Sequence, residues 1–224
     1  MGMKWERWVP LNGVLFVAAF VAAFIVAGDP PAADAGAATL REHYANDAAI
    51  LTSTYLIGVA LFLYLSFLGT LTYRLREAGE ARLAAVTFAG GLMTAVLYMS
   101  GALANAVLAY RTPADDVILQ TIYDVQLLAL VLTAFPSALL VAAAAIAASR
   151  TGVFPRWFNA VAAIAAVGFL VGGAAFASDG FFAPGGTYAL IATGVFLVWA
   201  VVASVLLTTD AIRAEAPQAA VAPM

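Results

Sequence analysis

Long apolar segments alternate with short polar ones along the whole chain, and this alternation predicts a membrane helix bundle. The clearest apolar segment, residues 83–109, contains no charged residue. As a helix it is long enough to cross a hydrocarbon core of about 30 Å. The apolar segments are continuous rather than alternating in polarity, which indicates helices and not a barrel. The predicted transmembrane spans are 9–28, 53–73, 83–109, 128–149, 158–177 and 187–207.

This pattern predicts an all-α, polytopic bundle of six transmembrane helices. The bundle forms one domain over residues 1–209. The Ala- and Pro-rich tail over 210–224 is predicted to be disordered. A basic start followed by an apolar segment is also typical of a signal peptide, so cleavage of the first span is an alternative interpretation.

Small and polar residues recur on one face of the third predicted span. Steps of three and four residues place them on the same side of a helix. Because small residues let helices approach and polar groups need partners away from lipid, we expect this face to point into the bundle. Its members are Thr87, Gly91, Thr94, Tyr98, Gly101 and Asn105.

Four glycines in the predicted spans are assigned to helix packing. Gly91 and Gly101 belong to the face just described. Gly168 and Gly172 give the fifth span a small-xxx-small spacing, which favours close contact between helices. We predict that the Gly168 and Gly172 face contacts a second copy of the chain or another membrane protein.

Two predicted helices are longer than a membrane span. One begins at Ala37 and continues without interruption through the second span. The other begins at Pro113, with Thr112 as its N-cap, and ends near Ser149 after a kink at Pro136. The sequence therefore predicts that the second and fourth helices extend beyond the membrane on its outer side.

The basic residues give the predicted orientation. With the N-terminus in the cytoplasm, eight of the ten Lys and Arg residues lie inside, and only Arg41 and Arg111 lie outside. This is the positive-inside pattern. Six spans then place both termini on the cytoplasmic side of the plasma membrane. The inner residues are Lys4, Arg7, Arg74, Arg76, Arg82, Arg150, Arg156 and Arg213.

Composition excludes several functional classes. The chain has 224 residues, 64% hydrophobic and 10% charged, whereas soluble domains carry about a quarter charged residues. A net charge of −3 without a basic patch argues against a nucleic-acid partner. There is no cysteine and one histidine, which excludes thiolate metal sites and bis-histidine haem. No metal ion, cofactor or catalytic residue is predicted, and no catalytic motif is present.

Polar side chains near the outer ends of the predicted helices suggest a binding site. Asp124 is prominent because ionisable groups at membrane depth are costly and often functional. An alternative is a hydrated interfacial carboxylate paired with Arg41 or Arg111. The cluster predicts an outward-opening pocket for a membrane lipid or a small amphipathic molecule. Its residues are Tyr55, Tyr98, Asn105, Gln120, Tyr123, Asp124 and Tyr188.

Three other functions stay open on the sequence. The first is a small secondary transporter or channel, although residues 141–148 and 161–167 offer no polar path through the inner half. The second is an accessory subunit of a larger membrane complex. The third is a membrane enzyme acting on lipids, with Asp124 as general base.

Four regions carry a resemblance to a known group of proteins. They are WVPLNGVLF at 8–16, HYA at 43–45, LFLYLSFLG at 61–69 followed by YRLR at 73–76, and RTGVFPRW at 150–157. On these segments the chain resembles the small, uncharacterised six-helix integral membrane proteins common in actinobacteria. The resemblance implies a membrane helix bundle and a membrane location. It implies no catalytic residues.

Overall fold

Regular secondary structure in the described part of the chain is entirely helical. The computed structural model describes the backbone of residues 6–219 and the side chains of residues 9–210. A short 3-10 helix, Glu6–Leu11, precedes the α-helices. These are α1 Asn12–Ala27, α2 Ala37–Tyr44, α3 Asp47–Glu77, α4 Ala81–Tyr110, α5 Asp116–Leu132, α6 Ala134–Thr151, α7 Arg156–Gly172 and α8 Thr187–Ala219.

Within the described residues, five helical segments are long and apolar enough to cross a membrane. This confirms the prediction of a helical bundle with several membrane helices. The shortest of these segments has 19 residues, whereas α7 has 17, so the count of six crossings stays a prediction. The five segments are Val9–Ala27, Asp47–Glu77, Ala81–Tyr110, Asp116–Thr151 and Thr187–Asp210.

The tail predicted to be disordered over 210–224 also stays a prediction. Helix α8 is helical to Ala219, and residues 220–224 lie outside the described part of the chain.

The prediction of one uninterrupted helix from Ala37 into the second span is wrong. The chain leaves the helical conformation at Asn46, with φ −87° and ψ 59°. Asp47 Oδ1 then accepts a hydrogen bond from the Ala48 backbone N–H at 2.7 Å. Asn and Asp side chains compete with helical backbone hydrogen bonds, which favours a break at this point. Because of the break, α2 is a separate helix that buries the side chain of Tyr44.

The predicted start of the fourth helix at Pro113 is also wrong. Helix α5 begins at Asp116, and Asp115 is its N-cap. Asp115 Oδ1 accepts a hydrogen bond from the Ile118 backbone N–H at 3.0 Å, as a capping carboxylate does. Thr112 does not cap this helix, because its hydroxyl instead donates to the carbonyl of Leu108.

The kink predicted at Pro136 is a break between α5 and α6 at Thr133. Pro136 has no backbone N–H, so the carbonyl of Leu132 loses its helical partner. The chain tightens just before the proline, and the Thr133 N–H bonds to the carbonyl of Leu130 at 3.1 Å. The proline therefore divides the predicted helix into two separate helices.

Two ion pairs mark opposite ends of the bundle. Arg150 Nη1 lies 3.4 Å from Glu80 Oε1, which joins the end of α6 to the start of α4. Arg41 Nη2 lies 2.5 Å from Asp116 Oδ1, which joins α2 to the start of α5. We call these the Arg150 end and the Arg41 end. Both pairs are partly exposed, so they contribute little to stability.

Helix α7 runs alongside α8 from the Arg150 end towards the Arg41 end. Near the start of α7, the Phe158 ring stacks on Trp199 with the centroids 6.5 Å apart. Near the end of α7, the carbonyl of Gly168 accepts a hydrogen bond from Tyr188 Oη. Tyr188 lies in the first turn of α8 and Trp199 lies further along it. Helices α7 and α8 are therefore antiparallel.

Glycines set the close approach of α4 to its neighbours. A Cβ on Gly90 would lie 2.7 Å from the Leu140 backbone nitrogen of α6. A Cβ on Gly91 would lie 2.6 Å from the Leu68 side chain of α3. Gly101 is less tightly enclosed, since its Cβ would lie 3.4 Å from the Leu130 side chain.

The face formed by Gly168 and Gly172 is partly covered within the same chain. A Cβ on Gly172 would lie 2.8 Å from the Tyr188 ring, and one on Gly168 would lie 3.8 Å from Tyr188 Oη. Tyr188 of α8 therefore covers Gly172 and part of this face. Contact of the remaining face with a second copy or another membrane protein stays a prediction.

Candidate functional site

A cavity of about 220 Å³ extends from the Arg41 end into the bundle. Most of the helices contribute to its wall, and many of the side chains in its deeper part are apolar. Phe169 and Phe196 lie at depth, while Pro31 and Gly185 come from the loops at the Arg41 end. Polar atoms concentrate near those loops. The polar side chains on the wall are His43, Tyr44, Ser53, Tyr98, Asn105, Tyr123, Gln126, Thr133, Ser137, Tyr188 and Thr193.

Four of the seven predicted ligand-binding residues line this cavity. They are Tyr98, Asn105, Tyr123 and Tyr188, which come from three different helices. The structure therefore places these four side chains around one cavity. Asn105, Tyr123 and Tyr188 lie near the Arg41 end, and Tyr98 lies deeper.

The other three predicted residues, Tyr55, Gln120 and Asp124, are exposed and do not line the cavity. Gln120 and Asp124 each follow a buried residue of α5, Leu119 and Tyr123. A step of one residue turns a side chain by about 100° around a helix. Both polar groups therefore point away from the interior, and none of the three residues belongs to the cavity wall.

Tyr44 is the centre of the polar cluster and was not among the predicted site residues. Its hydroxyl oxygen lies 3.0 Å from Asn105 Oδ1 and 3.0 Å from Gln126 Oε1. A phenol has one proton, so Tyr44 donates to one amide oxygen. The other amide must be turned so that its NH₂ donates to Tyr44 Oη, because amide orientation follows from the hydrogen-bond network.

This arrangement leaves donor and acceptor capacity for a ligand. Asn105 and Gln126 are half-buried and line the cavity. Among residues 9–210, the side chains of Asn105 and Gln126 form their side-chain hydrogen bonds with Tyr44. Each amide also has a second polar group. The cluster is therefore suited to contact a polar group that both donates and accepts.

Hydroxyl groups deeper in the cavity are already paired. Thr133 Oγ1 donates to the carbonyl of Leu130 at 2.6 Å. Ser137 Oγ lies 3.3 Å from Thr94 Oγ1, which itself donates to the carbonyl of Gly90 at 3.0 Å. Such back-bonding satisfies these groups within the helices. The hydroxyls of Thr133 and Ser137 therefore add little hydrogen-bonding capacity to the deep part of the cavity.

The cavity wall carries no formal charge at neutral pH. None of its lining residues is Asp, Glu, Lys or Arg. Burial lowers the pKa of His43 from its ordinary value of 6.5, which favours the neutral imidazole. Burial and the neighbouring Tyr123 raise the pKa of Tyr44, so its phenol keeps its proton. A charged group inside the cavity would find no counter-ion, which makes its burial costly.

Two loops border the cavity at the Arg41 end. The carbonyl of Pro31 accepts a hydrogen bond from Tyr123 Oη at 2.5 Å, which holds the loop after α1 against α5. In the loop before α8, the Phe182 ring stacks on Tyr188 with the centroids 5.1 Å apart. Gly185 of that loop has φ +73° and lines the cavity, a conformation that glycine adopts at little cost.

No cluster suited to a metal ion accompanies the cavity. Within the described residues, no group of three or more His, Asp or Glu side chains is close enough together to hold one.

Comparisons with protein-family models, with curated proteins and with solved structures gave no significant match. The resemblance to the actinobacterial six-helix proteins therefore stays a prediction.

Proposed function

We propose that this chain is a six-span protein of the plasma membrane that binds an uncharged, single-chain amphiphile from the outer side. The observation that carries the proposal is the combination of an apolar cavity with the cluster of Tyr44, Asn105 and Gln126 at its shallow end. The apolar chain would occupy the deep part of the cavity. The polar head would meet the two amides.

Size and charge narrow the ligand class. The cavity of about 220 Å³ is smaller than the pockets of about 300–1,000 Å³ that hold drug-sized ligands. It therefore favours one hydrocarbon chain over a complete two-chain phospholipid. The uncharged wall disfavours phosphate, carboxylate and ammonium heads. Alcohol and primary or secondary amide heads fit, because they donate and accept hydrogen bonds and carry no charge.

The course of α7 supports a sixth crossing. Helix α6 ends at the Arg150 end, and α8 begins near the Arg41 end, so the chain between them must return along the bundle. Helix α7 does so beside α8. Phe158 contacts Trp199 near the start of α7, and Gly168 contacts Tyr188 near its end. Its 17 residues are at the lower limit of about 17 for a membrane helix.

The distribution of arginines supports a cytoplasmic Arg150 end. Cysteine labelling tests this orientation cleanly, because the chain has no cysteine of its own. Asp34 lies in an exposed loop at the Arg41 end, and Ala78 is exposed in the turn before α4. In intact cells, a membrane-impermeant maleimide should label Asp34→Cys. Ala78→Cys should react only after the membrane is opened, and the reverse result would overturn the orientation.

Binding is tested with a C12 monoacylglycerol that carries a photoreactive diazirine in its chain. The purified protein in nanodiscs should be labelled on the segments of α4 and α5 that line the cavity. Gln126→Leu should weaken binding about fivefold, because one hydrogen bond contributes about 1 kcal/mol and about 1.4 kcal/mol corresponds to a factor of ten.

Gln120→Leu is the matched control, since it makes the same change on an exposed face of the same helix. It should leave binding unchanged. Equal effects of the two substitutions would contradict the proposed site. Equal competition by a lysophosphatidylcholine of the same chain length would contradict the preference for an uncharged head.

The packing beyond the cavity favours binding over conduction. Between the cavity and the Arg150 end, the interior is filled by buried apolar side chains such as Leu71, Val141 and Trp199. The buried hydroxyls of this region, such as those of Thr87 and Ser204, donate to backbone carbonyls, which also favours binding over conduction. Asp124 lies outside the cavity, so the site gives no support to a lipid-cleaving enzyme with that residue as base.

A further inference from the structure

A second concavity of about 690 Å³ lies between α6 and α7, and it shares no lining residue with the cavity. We call it the α6–α7 groove. Small side chains of both helices form its floor, including Ala142, Ala145 and Ala163. Larger apolar side chains such as Ile146 and Leu170 border it. The groove is thus an open, apolar channel along the outside of the bundle.

The groove becomes polar at the Arg150 end. Asn159 lines it there and is 7% exposed. Asn159 Nδ2 donates to the carbonyl of Phe154 at 3.2 Å, which fixes the orientation of the amide. Within residues 9–210, Asn159 Oδ1 is buried and has no hydrogen-bond partner. A buried acceptor without a donor is costly and rare, so this oxygen points to a donor that a bound molecule supplies.

Arg156 provides a cation beside this acceptor. It lines the groove one helical turn before Asn159 and is exposed. Two other arginines at this end are paired, Arg150 with Glu80 and Arg74 with Glu77. Arg156 forms no ion pair with any residue whose side chain is described. No Asp or Glu lines the groove, so its polar end is complementary to an anion.

We propose that the α6–α7 groove binds one acyl chain of an anionic phospholipid, with the phosphate on Arg156 and a headgroup hydroxyl donating to Asn159 Oδ1. Basic positions between membrane helices are suited to anionic lipid headgroups, and guanidinium groups bind phosphate in a bidentate manner. Phosphatidylglycerol has this chemistry, since it carries a phosphodiester, free hydroxyls and acyl chains. This site is independent of the uncharged ligand proposed for the cavity.

Native mass spectrometry of the delipidated full-length protein tests the site with palmitoyl-oleoyl phosphatidylglycerol and the matching phosphatidylcholine. Wild type should bind phosphatidylglycerol at least tenfold more tightly. Arg156→Gln should lower its affinity for phosphatidylglycerol to that for phosphatidylcholine. Arg76→Gln is the control for general charge, because Arg76 is exposed at the same end and does not line the groove.

A second pair of variants tests the channel itself. Ala163→Phe fills the groove from an exposed position and should abolish bound phosphatidylglycerol at an unchanged melting temperature. Ile164→Phe places the same ring on the neighbouring residue, which is 74% exposed and outside the groove. It should have no effect on lipid binding.

Three outcomes would overturn the proposal. They are equal affinity of wild type for the two lipids, equal loss of phosphatidylglycerol in Arg156→Gln and Arg76→Gln, and a dimer that Ala163→Phe disrupts. The last result would identify a second copy as the occupant. Gln126→Leu should leave phosphatidylglycerol binding intact, so failure of this site and failure of the cavity are distinguishable.

Discussion

Gly90→Ala is expected to destabilise the protein by about 1–3 kcal/mol, the usual cost of forcing an extra carbon into a packed interior. The added Cβ would lie 2.7 Å from the Leu140 backbone nitrogen and 2.9 Å from the Pro136 carbonyl oxygen. Both are backbone atoms, so no rotamer change can relieve the contact. Helices α4 and α6 would have to move apart, and their other contacts would loosen with them.

Gly69→Ala is the control for this substitution. Gly69 also lies within a long helix, but nothing lies within 4 Å of the position of its Cβ. Alanine should there stabilise the helix by about 0.5–1 kcal/mol, because glycine is the weaker helix former. The free energies of unfolding can be compared by titrating the purified proteins with dodecyl sulfate. If the Gly90→Ala variant were as stable as the Gly69→Ala variant, α4 and α6 could not approach each other as closely at Gly90 as described here.

Tyr44→Phe is expected to cost about 1–3 kcal/mol, the range for a buried polar group that loses its partner. The substitution keeps the ring, which is 1% exposed, and removes only the hydroxyl. Asn105 and Gln126 would both lose their contact with Oη. Since these amides also form the proposed head-binding site, affinity for the C12 monoacylglycerol should fall together with stability.

Tyr55→Phe removes a hydroxyl from a tyrosine that is 72% exposed. It should change the free energy of unfolding by less than about 0.5 kcal/mol, as surface substitutions usually do. It should also leave ligand affinity unchanged. The prediction for Tyr44 would fail if the two tyrosine variants had the same stability and the same affinity.

Most of the helices could be predicted from the sequence, because their lengths and compositions are set by continuous apolar segments. The segment 83–109, for example, lies inside α4, Ala81–Tyr110. The breaks were harder to predict. The interruption at Asn46 depends on local conformation, and no proline or glycine marks it. Pro136 did indicate a bend, but the helices separate at Thr133, where the backbone closes before the proline.

The candidate site could be predicted in part for the same reason. Depth along a helix is readable from sequence, and it placed Asn105 and Tyr123 near one level. The direction in which a side chain points around the helix is harder to predict, because neighbouring residues point about 100° apart. Asp124, next to buried Tyr123, consequently faces outward. Tyr44 could not be assigned to the site, because its inward position depends on the break that separates α2 from α3.

The break at Thr133 separates two halves of one long apolar segment that are held differently. Helix α6 meets α4 at backbone distance at Gly90. Helix α5 carries Gln126 on the cavity wall, and Pro136 removes one backbone hydrogen bond where α5 joins α6. A change in the tilt of α5 at this joint would alter the width of the cavity and leave the Gly90 contact in place.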